Sequence, residues 1–76
     1  MAVKTREEVL ELAKRYRKTL ESKGRNPSTF GISDEWGEVR TTAGLLIQNP
    51  AVWQSHLTDD MTDGVYDVIQ GWLDKG

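Results

Sequence analysis

Hydrophobic residues recur along this chain at the three- and four-residue spacing of helices, and no window alternates apolar and polar positions for more than a few residues. Helical spacing places such residues on one face, whereas alternation would indicate strands. The pattern therefore predicts an all-α fold, a small bundle of three longer helices plus one short helix, at roughly residues 6–22, 34–48, 50–57 and 60–73.

The predicted helix over residues 34–48 contains the densest apolar run of the chain, residues 43–47. One face of this helix carries Trp36, Val39, Ala43, Leu46 and Ile47. Leu45 lies about 180° from Trp36 at roughly 100° per residue, so the helix offers apolar surface in two directions. We expect the rest of the chain to pack around this helix on more than one side.

Local signals mark the ends of the first helix. Thr5 and Glu8 form the capping-box pattern, in which each side chain bonds a backbone N–H that the helix leaves free. Gly24 stands just beyond the last apolar position and is expected to end the helix with a left-handed backbone. The loop that follows, residues 25–32, is expected to be held by Phe30 and Ile32 against the bundle.

The later helices have start signals of the same kind. Ser33 or Asp34 is predicted to cap the second helix, and Asn49 followed by Pro50 is predicted to start the third. The fourth follows the polar segment 58–60, although Gly64 favours a start as late as residue 62 or 63.

The length of 76 residues predicts one domain, residues 1–76. This size is near the lower limit at which a hydrophobic core stabilises a fold without disulfides or a structural metal. No cysteine is present, which excludes disulfides and thiolate metal sites. No apolar run approaches the roughly 20 residues that span a bilayer, so we expect a cytoplasmic protein with no membrane contact. Oligomerisation is another way to complete a small core, and Leu45 raises the possibility of a homodimer.

The net charge of −2 conceals an asymmetry, because residues 1–26 carry eight basic and four acidic side chains. A cluster of Lys and Arg is what phosphate-backbone binding requires. The candidates for phosphate contact are Lys14, Arg15, Lys18, Lys23 and Arg25. The helix dipole gives a structural reason for the same order, acids first and bases last.

The last predicted helix has an acidic face formed by Asp60, Asp63, Asp67 and Asp74, which is a candidate for binding a basic partner. The spacing of Asp59, Asp63 and Asp67 resembles part of a calcium loop. Met61 and Gln70, however, occupy two positions where that loop needs strong oxygen ligands. The sequence therefore predicts no metal site.

His56 is the only histidine, and Ser55 beside it points about 100° away on a helix, so the two form no nucleophile pair. No phosphate-cradling glycine loop is present. We expect neither an enzyme nor a bound cofactor. A helix-turn-helix over the second and third helices would present Gln54, Ser55 and His56 to DNA, but it would have no Arg or Lys there.

The sequence favours a non-catalytic protein–protein interaction module, a small adaptor, inhibitor or regulator whose partner is another protein. Its candidate anchors are Leu45, Trp53, Tyr66 and Trp72, since aromatic and large apolar residues dominate interface energetics. Two alternatives stay open. One is a nucleic-acid-associated regulator that uses the basic first helix or a degenerate helix-turn-helix, and the other is a self-assembling homodimer.

Overall fold

Four helices, three longer and one short, follow one another with no strand among residues 3–75, which the computed structural model describes. They are α1 (Arg6–Ser22), α2 (Glu38–Gln48), α3 (Pro50–Trp53) and α4 (Thr62–Lys75). A 3-10 turn over Pro27–Thr29 lies between α1 and α2, and a second over Gln54–His56 continues α3. The predicted all-α class is confirmed. Met1, Ala2 and Gly76, part of the predicted domain, lie outside the described residues.

Both predicted ends of α1 are confirmed. The Thr5 hydroxyl accepts a hydrogen bond from the Glu8 N–H at 3.1 Å, and the Glu8 carboxylate accepts one from the Thr5 N–H at 3.4 Å. At the other end Gly24 has a φ of 76°, the only positive φ among the described residues. The Gly24 and Arg25 N–H groups donate to the carbonyls of Glu21 and Leu20, the pattern of a Schellman cap.

Replacing Gly24 by alanine is expected to lower the free energy of unfolding by about 1 kcal/mol, because a Cβ makes the left-handed backbone unfavourable. Gly31→Ala is the matched control, since its backbone is not left-handed and an added Cβ would meet nothing within 4 Å. Urea unfolding followed by circular dichroism measures both. Equal losses for the two variants would contradict the role assigned to Gly24.

The predicted start of α2 at residue 34 is wrong, because the helix begins at Glu38. The Ser33 hydroxyl accepts from the Glu35 N–H, and the Ser33 carbonyl accepts from the Trp36 N–H at 3.2 Å. These bonds close a turn rather than a helix, and Gly37 then adopts an extended backbone before α2 starts. Trp36 therefore lies in the turn and not on the apolar face of the helix.

The remaining boundaries differ by smaller amounts. The predicted third helix, 50–57, is observed as α3 followed by a 3-10 turn, and this segment ends at His56. Helix α4 begins at Thr62, two residues after the predicted bound of 60 and at one of the later starts that Gly64 favoured. Residues 59–61 form a turn, and the Thr62 hydroxyl donates to the Asp59 carbonyl at 3.1 Å. Its last residue is Lys75, two beyond the predicted end.

Helix α1 contacts the other three helices and the first 3-10 turn, and so does α2. Two glycines allow close approach to α2. A Cβ on Gly64 of α4 would lie 3.0 Å from Val39, and a Cβ on Gly44 would overlap the Ile32 side chain. The expected packing of Phe30 and Ile32 against the bundle is confirmed.

The core joins α1, α2 and α4 and includes one residue that follows the second 3-10 turn. Its buried members are Val9, Leu12, Ala13, Tyr16, Leu20, Ala43, Leu46, Ile47, Leu57, Val65 and Ile69. Helix α3 and its 3-10 turn contain no buried residue, so this segment rests on the outside of the bundle. None of the described helices is long and apolar enough to cross a membrane.

Candidate partner-binding surface

Trp72, one of the predicted anchors, belongs to a cluster of four aromatic rings. Its ring centroid lies 5.0 Å from that of Phe30, 5.7 Å from that of Trp36 and 6.1 Å from that of Tyr16. Burial raises the pKa of the Tyr16 hydroxyl, and the charge of Arg25 opposes that shift. Trp72 is half-buried and packs against the core, so most of its surface is used inside the molecule.

Tyr66 is half-buried at the edge of a shallow groove along α1. The Lys4 ammonium lies 4.3 Å from the centre of the Tyr66 ring, and it also lies 3.9 Å from a carboxylate oxygen of Glu8. The first described residues of the chain therefore cover one side of Tyr66.

The four aspartates predicted to form an acidic face serve different purposes. The Asp63 carboxylate accepts hydrogen bonds from the backbone N–H of Lys4 at 2.7 Å and of Val3 at 3.0 Å. These bonds, that from Lys4 first, hold the pKa of Asp63 below its usual value. Because the folded-state pKa is depressed, their contribution to stability is present above the unfolded pKa and is lost as the pH falls through the lowered one.

Asp60 lies in the turn before α4, where the Thr58 hydroxyl donates to its carboxylate at 2.6 Å and lowers its pKa. Asp74 accepts from the Gln70 amide at 3.1 Å. Both are exposed, as is Asp67. Of the predicted acidic face, Asp67 and Asp74 thus remain on the outer surface of α4, while Asp63 holds the start of the chain.

The five predicted phosphate contacts, Lys14, Arg15, Lys18, Lys23 and Arg25, are all exposed. Lys14 lies 3.9 Å from a carboxylate oxygen of Glu11, and Glu21 follows on the same helix, so acids interrupt the basic cluster. These side chains lie on the surface. Among the contacts described for residues 3–75, no Lys or Arg from another helix lies beside them.

Two arginines have a structural role that the sequence analysis did not identify. The Arg17 guanidinium donates to the carbonyls of Ile47 and Gln48, at the C-terminal end of α2, with the Gln48 bond 2.8 Å long. Arg6 similarly donates to the carbonyls of Gln54 and Leu57 around the second 3-10 turn. Arg17 lies in helical register with the buried Ala13 and Leu20, and that spacing was the available signal.

A segment without charged residues of its own contains α3, and the Arg6 and Arg17 guanidiniums of α1 reach its backbone carbonyls at Gln54 and Gln48. All ten basic and twelve acidic residues of the chain lie outside residues 41–58. The exposed and half-buried side chains from position 45 to position 56 are here called the neutral surface. They are Leu45, Gln48, Asn49, Pro50, Ala51, Val52, Trp53, Gln54, Ser55 and His56.

Apolar side chains are prominent on the neutral surface. Val52 is 58% exposed, and among the described residues only Val3 is a more exposed large hydrophobic residue. Leu45 is half-buried but does not belong to the residues packed against the core, so its predicted position away from the main apolar face is confirmed. The Trp53 ring is half-buried, packs against the core and stacks on the exposed His56 ring, with centroids 4.9 Å apart.

Backbone and side-chain bonds fix the shape of the neutral surface. The Asn49 side chain accepts from the Val52 N–H at 3.2 Å, and the Asn49 carbonyl accepts from the Trp53 N–H at 3.1 Å. These bonds make Asn49 the N-cap of α3, as predicted, and Pro50 occupies the first helical position. Val52 was missed as a surface residue, although the absence of charge over 41–58 was visible in the sequence.

His56 is stacked on Trp53 rather than grouped with other ligands. Within residues 3–75, no group of three or more His, Cys, Asp or Glu side chains is placed to hold a metal ion. Comparison of the chain with protein-family models, curated proteins and solved structures finds no match. Function is therefore inferred from the residues themselves.

Proposed function

We propose that this protein is a non-catalytic protein-interaction module, a small adaptor, inhibitor or regulator, and that it binds another protein through the neutral surface. One observation carries the proposal: the exposed Val52 lies in a segment from which all charged residues are missing. The centres of protein interfaces are depleted in charged residues and enriched in aromatic ones.

The free-energy cost of removing water from side chains explains why a surface of uncharged residues favours binding to a partner. Burying an unpaired charge is expensive, whereas burying an apolar side chain is favourable by roughly 25 cal/mol per Å². The exposed Val52 and the half-buried Trp53 and Leu45 supply apolar area. Val3, in contrast, is followed by Lys4, whose charge a partner would have to accommodate.

The neutral surface also favours a protein over a nucleic acid as its partner. Binding to a phosphate backbone needs several Lys or Arg side chains, whereas residues 41–58 contain none and the Arg6 and Arg17 guanidiniums beside them already donate to backbone carbonyls. The exposed bases of α1 alternate with Glu11 and Glu21, which would repel phosphates.

Affinity capture from a cell lysate tests the proposal, with nuclease added and bound proteins identified by mass spectrometry. We compare the natural chain with Val52→Lys and Val3→Lys, which place the same charge at the two most exposed large hydrophobic positions among residues 3–75. One stoichiometric protein should be captured by the natural chain and by Val3→Lys, and at least tenfold less by Val52→Lys. Equal capture by all three, or partners that vanish with nuclease, would contradict the proposal.

A further inference from the structure

We infer that Val3 and Lys4, here called the strap, open and close without unfolding of the helices, and that Asp63 holds the strap closed against Tyr66. The inference does not rest on the proposed function, because it concerns the groove along α1 and not the neutral surface. It makes the closed strap an inhibitory contact, since a partner can reach this face of the Tyr66 ring only when the strap is open.

Charged groups attach the strap to the helices. The Asp63 carboxylate of α4 accepts hydrogen bonds from both backbone N–H groups of the strap, at 3.0 Å from Val3 and 2.7 Å from Lys4. The Lys4 ammonium lies 4.3 Å from the centre of the Tyr66 ring and 3.9 Å from a carboxylate oxygen of Glu8. Hydrogen bonds to an ionised carboxylate are strong, whereas an exposed ion pair contributes little. Asp63 is therefore the main attachment of the strap.

Little of the strap is buried, which is the reason that it can open by itself. The Val3 side chain is 80% exposed, and Lys4 is half-buried. Segments with few buried apolar contacts open at a lower free energy than the core does. The capping box fixes the next residue, Thr5, to the first turn of α1, so opening stops at Thr5 and the helix stays intact.

Opening of the strap changes the surface at Tyr66. The Tyr66 ring lines the groove along α1 together with Thr5 and Leu12, among others, and the Lys4 ammonium covers one face of the ring in the closed state. An open strap adds this ring face to the groove and removes the ammonium from it. Because tyrosine is enriched among the residues that dominate interfaces, the strap decides whether the groove presents an aromatic anchor or a charged side chain.

Exchange of amide protons with water, measured by nuclear magnetic resonance on the full chain, tests the inference. Asp63→Asn removes the charge that holds the strap, and Asp67→Asn removes the same charge from an exposed position about one turn later on α4. The Val3 and Lys4 amide protons should exchange at least tenfold faster in Asp63→Asn than in the natural chain and in Asp67→Asn. Nuclear Overhauser effects between the Lys4 side chain and the Tyr66 ring should be lost in Asp63→Asn alone.

The amide protons of buried residues such as Leu12 and Ile69 should keep their protection in all three proteins, because the opening is local. Equal exchange of the strap amides in the three proteins would overturn the inference, as would Lys4–Tyr66 contacts that persist in Asp63→Asn. A loss of protection at Leu12 and Ile69 equal to that of the strap would also overturn it, since the strap would then open only when the whole fold does.

Discussion

Replacing Leu46 by alanine is expected to lower the free energy of unfolding by about 3 kcal/mol, within the range for buried leucines in well-packed cores. Leu46 has 0% of its surface exposed and lies on α2, which contacts the other three helices. The lost side chain leaves a cavity that these helices can close only in part. A domain of this size has a total stability on the order of 5 kcal/mol, so the variant should keep only about 2 kcal/mol and unfold at a much lower urea concentration.

Leu45→Ala is the matched control for this experiment, because it removes the same atoms from the neighbouring position. Leu45 is half-buried and lies outside the residues packed against the core, so we expect a loss below about 1 kcal/mol. Urea unfolding, followed by circular dichroism and tryptophan fluorescence, measures both variants. Similar losses at positions 45 and 46 would show that α2 is not buried as described.

Trp72→Ala is expected to have the second large effect, a loss of about 3 kcal/mol, at the lower end of the range for truncating a large aromatic core residue. Trp72 is in ring contact with Tyr16, Phe30 and Trp36, which come from α1 and from the segment before α2. Its removal therefore loosens the contact of three parts of the chain. Near-ultraviolet circular dichroism should show a weakened aromatic signal, and urea unfolding should show the loss of stability.

Comparison of Trp53→Ala with Trp72→Ala distinguishes a tryptophan that binds a partner from one that stabilises the fold. Trp53 packs against the core but stacks on one ring, that of His56, whereas Trp72 contacts three rings, so truncation of Trp53 should cost less stability than that of Trp72. It should instead weaken partner capture or dimerisation. If Trp72→Ala abolished binding while leaving stability unchanged, Trp72 would be an interface anchor and the aromatic cluster would not be part of the stabilising core.

The ends of α1 were predictable because their signals are local. The Thr5 and Glu8 side chains bond backbone groups within one turn, and Gly24 is the residue type that a left-handed cap requires. The start of α2 was not predictable in the same way. Ser33 serves equally well as a helix cap or as the first residue of a turn, and the packing of Trp36 against Phe30 and Trp72 involves residues distant in sequence.

Some candidate residues were likewise predictable from local patterns, whereas others depend on contacts between residues distant in sequence. Leu45 was placed correctly by helical geometry alone, since its direction on α2 follows from its position in the sequence. Asp63 and Arg17 appeared as ordinary surface charges, because their partners are backbone groups 59 and 31 residues away, among others. Local sequence patterns do not predict hydrogen bonds between residues so far apart in the chain. The neutral surface needed both kinds of information, the charge-free run from the sequence and the exposure of Val52 from the fold.

Hydrogen–deuterium exchange tests the central claim, that this chain binds through the neutral surface, most directly. The measurement compares the protein alone at low concentration with the same protein at high concentration, or with its captured partner. We predict slower exchange of backbone amides over residues 45–56 in the bound state and little change on the outer faces of α1 and α4. Slower exchange confined to α1 or α4, with residues 45–56 unchanged, would contradict the claim.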